Sequence, residues 1–172
     1  GSEMCKETVT TLTVRDTQGA DISGNTLGGG NFGLILQAAS DVSVRGNYIH
    51  DVTEDLVRIV GNSHDVVVEN NLISDTVARA PTHPDLIQMF GLNGATPHDI
   101  TIRGNILHDD LSTGSVTPQG IFMNGPMGAS GFKDILIEQN LIWTQHINTI
   151  YVNGADGNLF LYTSDAADEE DR

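Results

Sequence analysis

One eleven-residue unit recurs along this chain and limits the folds open to it. Residues 99–109 read Asp-Ile-Thr-Ile-Arg-Gly-Asn-Ile-Leu-His-Asp, 41–51 read Asp-Val-Ser-Val-Arg-Gly-Asn-Tyr-Ile-His-Asp, and 65–75 read Asp-Val-Val-Val-Glu-Asn-Asn-Leu-Ile-Ser-Asp. A shorter copy spans Asp134 to Trp143, and a degenerate one starts near Asp21. Aligned on the shared asparagine (Asn25, Asn47, Asn71, Asn105, Asn140), the copies are 22, 24, 34 and 35 residues apart. A repeat of this length implies stacked units, none of which can bury its apolar face alone.

The unit itself predicts strands. Ile100 and Ile102, Val42 and Val44, Val66 and Val68, and Ile135 and Ile137 stand two apart, so each pair shares one face of a strand. Gly-Asn is turn chemistry, since both residues tolerate positive φ. Ile106-Leu107 then begins a second short strand. The asparagines form an amide ladder from coil to coil or serve only as turn formers; both roles are structural. A third strand precedes each unit, with Ile35, Val57, Ile87, Ile121 and Ile150 expected as one inward column and Gln37, Ile59, Met89, Met123 and Val152 as a second. Leu36, Arg58, Gln88, Phe122 and Tyr151 then point outward. The expected class is all-β: a single right-handed parallel β-helix of about five coils with three short strands each. Its bounds are 21–160, after an N-terminal segment or incomplete coil over 1–20.

The pattern Asp-(Ile/Val)-x-(Ile/Val)-x-(Gly/Asn)-Asn-x-(Ile/Leu) resembles the right-handed β-helix repeat of the pectate-lyase-like superfamily. That group holds polysaccharide lyases, alginate epimerases, glycoside hydrolases and tailspikes. The resemblance implies a secreted or cell-surface protein whose partner is a polysaccharide. The reaction is not implied, because one fold hosts many sites.

Charge removes some partners. The net charge is −15, of which the last eight residues supply −4. Such a surface repels phosphates, so nucleic acid is not an expected partner. It repels acidic polysaccharide as well, unless cations or a local basic groove compensate. No apolar run approaches the roughly 20 residues of a membrane helix, so no membrane partner is expected. The lone Cys5 cannot form an internal disulfide. Gly1-Ser2 reads as a non-native or arbitrary start. The run Leu161 to Glu169 resembles the translation of a sequencing-library adapter, which would make the chain a truncated metagenomic fragment; the alternative is a natural acidic tail. Residues 161–172 are therefore expected to be non-native, and 163–172 to carry no function.

Later coils gain about ten residues at Val77–Pro84, Gly91–His98, Asp110–Pro118 and Gly125–Phe132. These stretches are rich in Gly, Pro, Ser and Thr and read as loops leaving the solenoid. Function is expected where such loops meet the outward strand face.

The best chemical candidate there is Thr82-His83-Pro84-Asp85-Leu86-Ile87-Gln88. His83 and Asp85 at the strand mouth suit a base and its orienter, or part of a cation site. Asp55 and Arg58 align with Asp85 and Gln88 one coil earlier. Arg58 suits neutralisation of a uronate carboxylate, and Tyr151 suits proton donation about 14 Å away at a coil spacing near 4.8 Å. His83, Asp85, Arg58 and Tyr151 are thus the candidate catalytic set, with Asp55, Gln88 and Phe122 as substrate contacts. Each has a structural alternative: an aspartate at a strand start bonds turn backbone, and Arg58 can simply pair with Asp55 or Glu54. No cofactor is demanded; Ca2+ is compatible with the acidic surface. No metal ligands are assigned, since His50 and His108 recur as packing or turn residues. His64 and His98, each preceding a repeat aspartate, read as loop residues.

Several motifs are absent. There is no Asp-Pro-His-Glu run of alginate epimerases, which His83-Pro84-Asp85 only echoes. Polygalacturonase motifs and calcium-binding loops are missing too. Lys6 and Lys133 are the only lysines, and both lie away from the candidate patch, which disfavours a lysine-based lyase. Two functions follow: a lyase or C5-epimerase acting on uronate polysaccharide, or a non-catalytic glycan-binding or tailspike-like solenoid.

Overall fold

The computed structural model describes residues 10–109, 116–125 and 131–162. Among them are seventeen strands and no helix. The first coil holds β1 (Thr10–Arg15), β2 (Gln18–Ser23) and β3 (Thr26–Gly28), and the second β4 (Phe32–Gln37), β5 (Ser40–Arg45) and β6 (Tyr48–His50). β7 (Val57–Val60), β8 (His64–Glu69) and β9 (Leu72–Ser74) form the third. β10 (Asp85–Phe90), β11 (His98–Arg103) and β12 (Ile106–His108) form the fourth. β13 (Gln119–Asn124), β14 (Lys133–Glu138) and β15 (Leu141–Trp143) form the fifth, and β16 (Ile150–Asn153) and β17 (Leu159–Tyr162) begin a sixth.

Strands stack only on their counterparts. Sheet A runs β1-β4-β7-β10-β13-β16, sheet B β2-β5-β8-β11-β14-β17 and sheet C β3-β6-β9-β12-β15, all in parallel pairs. This is the expected parallel β-helix, wound right-handed as parallel crossovers are. The tail assigned to 161–172 begins inside β17, where Leu161 pairs with Ile137 and Tyr162 with Glu138; residues 163–172 lie outside the described residues.

The repeat residues do what their chemistry favours. Val42, Val44, Val66, Val68, Ile100, Ile102, Ile135 and Ile137 are buried on the inner face of sheet B. The Asn ladder is continuous. Oδ1 of Asn47, Asn71, Asn105 and Asn140 each accepts the backbone N–H of the asparagine one coil earlier, at 2.9–3.0 Å. Each of those four also donates through Nδ2 to the carbonyl of Ile22, Val44, Val68 or Ile102. The corner amides of the first four coils are therefore each satisfied by the next coil, as buried polar groups require.

Positive φ falls on one residue of the Gly-Asn pair, the first: Gly46, Asn70, Gly104 and Gln139 lie at φ 55–63°. The repeat aspartates Asp41, Asp65, Asp99 and Asp134 also sit at φ 52–53°. Aspartate tolerates that conformation better than most side-chain-bearing residues, which accounts for its recurrence.

Both inward columns need correction in β4, at Ile35 and at Gln37. The pairs are Leu34 with Val57, Ile35 with Arg58, Leu36 with Ile59 and Gln37 with Val60. Leu34 and Leu36 are fully buried, and Ile35 and Gln37 face outward. The stretch 34–36 is apolar at every position, so its pattern carries no parity. A one-residue slip exchanges the faces, and the fold resolves it by keeping the Gln37 amide out of the core.

Candidate functional site

The loop insertions flank sheet A. Residues 75–84 precede β10 and 91–97 follow it; 109–118 precede β13 and 125–132 follow it. Asp110–Ser115 and Pro126–Ser130 lie outside the described residues. The described parts border the outer face of sheet A, where the register lines up Ile35, Arg58, Gln88, Phe122 and Tyr151 in one column.

Below this column lies a polar corner. Asp55, Asp85, Gln119 and Asn148 occupy equivalent places on successive coils. The expected open positions of Asp55 and Asp85 are not what the fold gives: both are fully buried. Asp55 and Asp85 share the inward parity of Val57 and Ile87, so their carboxylates turn under the strand and bond neighbours. Oδ1 of Asp55 accepts the Asp85 backbone N–H at 2.8 Å. Oδ2 of Asp85 accepts Nε2 of Gln88 at 2.8 Å, and its Oδ1 accepts Nε2 of Gln119 at 2.9 Å. Oε1 of Gln119 accepts Nδ2 of Asn148 at 2.6 Å. The two aspartates thus cannot touch a polymer directly. They hold Arg58 and Gln88, which can.

Arg58 is fixed on three sides. Its Nε donates to Oδ2 of Asp55 at 2.5 Å, and its guanidinium lies 3.9 Å from the Phe32 ring centroid and 5.7 Å from that of Phe90. Cation–π contact and a buried carboxylate both orient the fork. Its terminal nitrogens have no hydrogen-bond partner among the described residues. Gln88 commits its amide nitrogen to Asp85, which leaves its Oε1 turned to the outer face as an acceptor.

Burial of the pair has an electrostatic cost. Burial first, and then the Asp55 charge, push the Asp85 carboxyl up to about 7. Burial raises Asp55 as well, against the pull of Arg58.

Phe122 and Tyr151 stack with centroids 4.9 Å apart and planes 16° apart. His83 is exposed and meets the edge of Phe122 at 6.3 Å. A residue not singled out in the sequence, His146, meets His83 edge-on at 6.3 Å. His146 is pushed down by burial first and by the charge of His83 second. Its Nδ1 accepts the Asn148 backbone N–H at 3.1 Å, so the neutral ring carries its proton on Nε2. The turn holding it is built by Thr144, whose hydroxyl donates to the Pro118 carbonyl and accepts the His146 N–H. His83 and His146 each stand two residues before a polar corner residue, Asp85 and Asn148. Extending the strand-A alignment two residues upstream would have paired them.

The expected residues Arg58, Gln88, Phe122 and Tyr151 therefore share one face, with His83 against its aromatic end. Tyr151 is three strands from Arg58, about 14 Å at the spacing of paired strands. Among the described residues no cluster of three or more His, Cys, Asp or Glu is arranged to hold a metal.

The family model for a right handed beta helix region matches residues 5–114. No curated protein and no solved structure matches the chain.

Proposed function

We propose that this chain, which belongs to the right-handed β-helix family, binds uronate-containing polysaccharide along the outer face of sheet A. The observation that carries the reading is the pre-set row itself. Arg58 and Gln88 are each held from beneath by a buried aspartate, and the Phe122–Tyr151 stack continues the same column. Groups fixed before binding lose little entropy on meeting a ligand. A guanidinium fork recognises a carboxylate in two-point fashion.

Binding fits this row better than catalysis does. Elimination or epimerisation at a uronate needs charge neutralisation and proton transfer at a single sugar. Arg58 and Tyr151 are too far apart for that, by the coil spacing given above. A lyase or epimerase reading draws on one observation: His83 is exposed, has no hydrogen-bond partner among the described residues, and stands beside the Phe122–Tyr151 stack.

Calorimetric titration with oligomers of alginate and pectate tests the proposal. Arg58→Lys keeps the charge against Asp55 but loses the fork, and should weaken binding about tenfold; Tyr151→Ala should weaken it comparably. Absence of binding to any uronate oligomer would overturn it. Release of unsaturated product by the wild-type chain, abolished in His83→Ala, would favour the lyase reading instead.

A further inference from the structure

A cavity lies round the corner from the sheet A row, where the chain passes from sheet C to sheet A. Three successive connections build it: residues 29–31, 51–56 and 75–84. They stack as the strands do. The N–H groups of Thr53, Glu54 and Val77 donate to the carbonyls of Gly30, Asn31 and Val52 at 2.8–3.1 Å. Asn31, Thr53, Val77, Arg79 and Thr82 line a space of about 460 Å³. Small-molecule sites span about 300–1,000 Å³, so one sugar unit fits.

The lining is rich in donors and its frame is fixed. Arg79 is exposed, and its guanidinium makes no ion pair or hydrogen bond among the described residues. By contrast, Arg45 and Arg103 are matched to Glu69, and Arg58 to Asp55. The backbone beneath Arg79 is pinned on both sides. Ala78 is fully buried, and the Arg79 carbonyl accepts the Thr82 N–H at 3.0 Å and the Thr82 hydroxyl at 2.6 Å. Thr53 donates its hydroxyl to Oδ1 of Asn31 at 3.1 Å. That leaves Nδ2 of Asn31 to donate, and the lone pairs of both threonine hydroxyls to accept. Among the described residues no carboxylate lines the cavity, in a chain of net charge −15. Glu54 follows Thr53 in sequence but is not one of the lining residues.

We propose that this cavity binds a single hexuronate unit, with Arg79 as the carboxylate anchor. The choice of sugar rests on the uronate reading of the sheet A row. The Arg79 fork takes the carboxylate at two points, which a lysine could not do. Asn31 donates to a ring hydroxyl, Thr53 and Thr82 accept from others, and Val77 meets the apolar edge of the ring. A bare anion engages Arg79 alone, and a neutral sugar engages everything else; a uronate engages both. Thr82 directly precedes His83, and Thr53 stands two residues before Asp55. The cavity therefore adjoins the row, as a second place for the same polymer.

Titration of the full chain with sodium glucuronate, sodium galacturonate, methyl glucoside and sodium acetate, followed by calorimetry and ligand-observed NMR, tests the site. The expected result is one glucuronate or galacturonate per chain, with methyl glucoside and acetate at least tenfold weaker. Arg79→Ala should weaken uronate binding at least tenfold, the loss expected for a hydrogen-bonded charged contact. Thr53→Val should weaken it several-fold. Arg15→Ala removes another exposed arginine and should leave it unchanged. Circular dichroism of each variant confirms its fold. Uronate binding that survives in Arg79→Ala, or that acetate or methyl glucoside matches, would overturn the proposal. The row on sheet A is read out separately. Oligomer binding that needs Arg58, with no monosaccharide bound, would sink the cavity and leave the row. Monosaccharide binding that needs Arg79, with oligomer binding indifferent to Arg58→Lys, would support the cavity and count against the row.

Discussion

The backbone N–H of Asp85 donates to Oδ1 of Asp55 at 2.8 Å, so two buried carboxylates lie one above the other in the stack. Arg58 answers the lower charge; the upper one meets only amides, Gln88 and Gln119.

A pH dependence follows. Asp85 is raised to about 7, so the folded chain favours its acid form. Its contribution to stability is complete below the ordinary carboxyl range and is lost as pH climbs through about 7. Between pH 5 and 8 that loss should lower Tm by about 2–4 °C for each kcal/mol in a chain of this size. His146, pushed down, works the other way as pH rises through the imidazole range. Comparison with Asp85→Asn isolates the effect: in thermal melts the variant should lose the alkaline decline. An equal decline in both proteins would place its origin elsewhere.

The ladder makes Asn71 a sensitive position. Its Oδ1 accepts both the backbone and side-chain N–H of Asn47, and its Nδ2 donates to Val44 and to Asn105. Asn71→Ala strands those buried partners, each at about 1–3 kcal/mol, so urea unfolding should show a loss above about 3 kcal/mol. Asn25→Ala, at the exposed first rung, should lose under about 1 kcal/mol. Equal losses at the two sites would mean that the amides act only as turn formers.

The register of β4 can be read out by substitution. Leu36→Asp places a charge in the core beside Ile59 and should abolish cooperative unfolding. Ile35→Asp lies outside, next to Arg58, and should melt within a few degrees of the wild type. The reverse ranking would restore the inward column read from the sequence.

That strand shows where sequence reasoning stops. The fold was legible because alternation in Val42-Ser43-Val44 or Ile100-Thr101-Ile102 states its own parity, and because the asparagine recurs at the same place in every copy. Gly33-Leu34-Ile35-Leu36 states none. The outward column of Arg58, Gln88, Phe122 and Tyr151 was legible for the same reason as the core, since facing out is the complement of facing in. The burial of Asp55 and Asp85 was not. A carboxylate before a strand reads as solvent-facing, and its retention inside depends on partners as distant as Gln119, 34 residues on. His146 escaped because its neighbour His83 is brought close by coil stacking, across an insert of irregular length.

The ten-residue insertions leave sheets A, B and C in unbroken register, since every added residue falls between strands. Lengthening is therefore decoupled from the interior. A chain built this way can exchange the loops that border its outer face while the aliphatic stack and its amide seam stay untouched. Grafting at 77–84 or 91–97 is the natural way to alter that border without disturbing the scaffold.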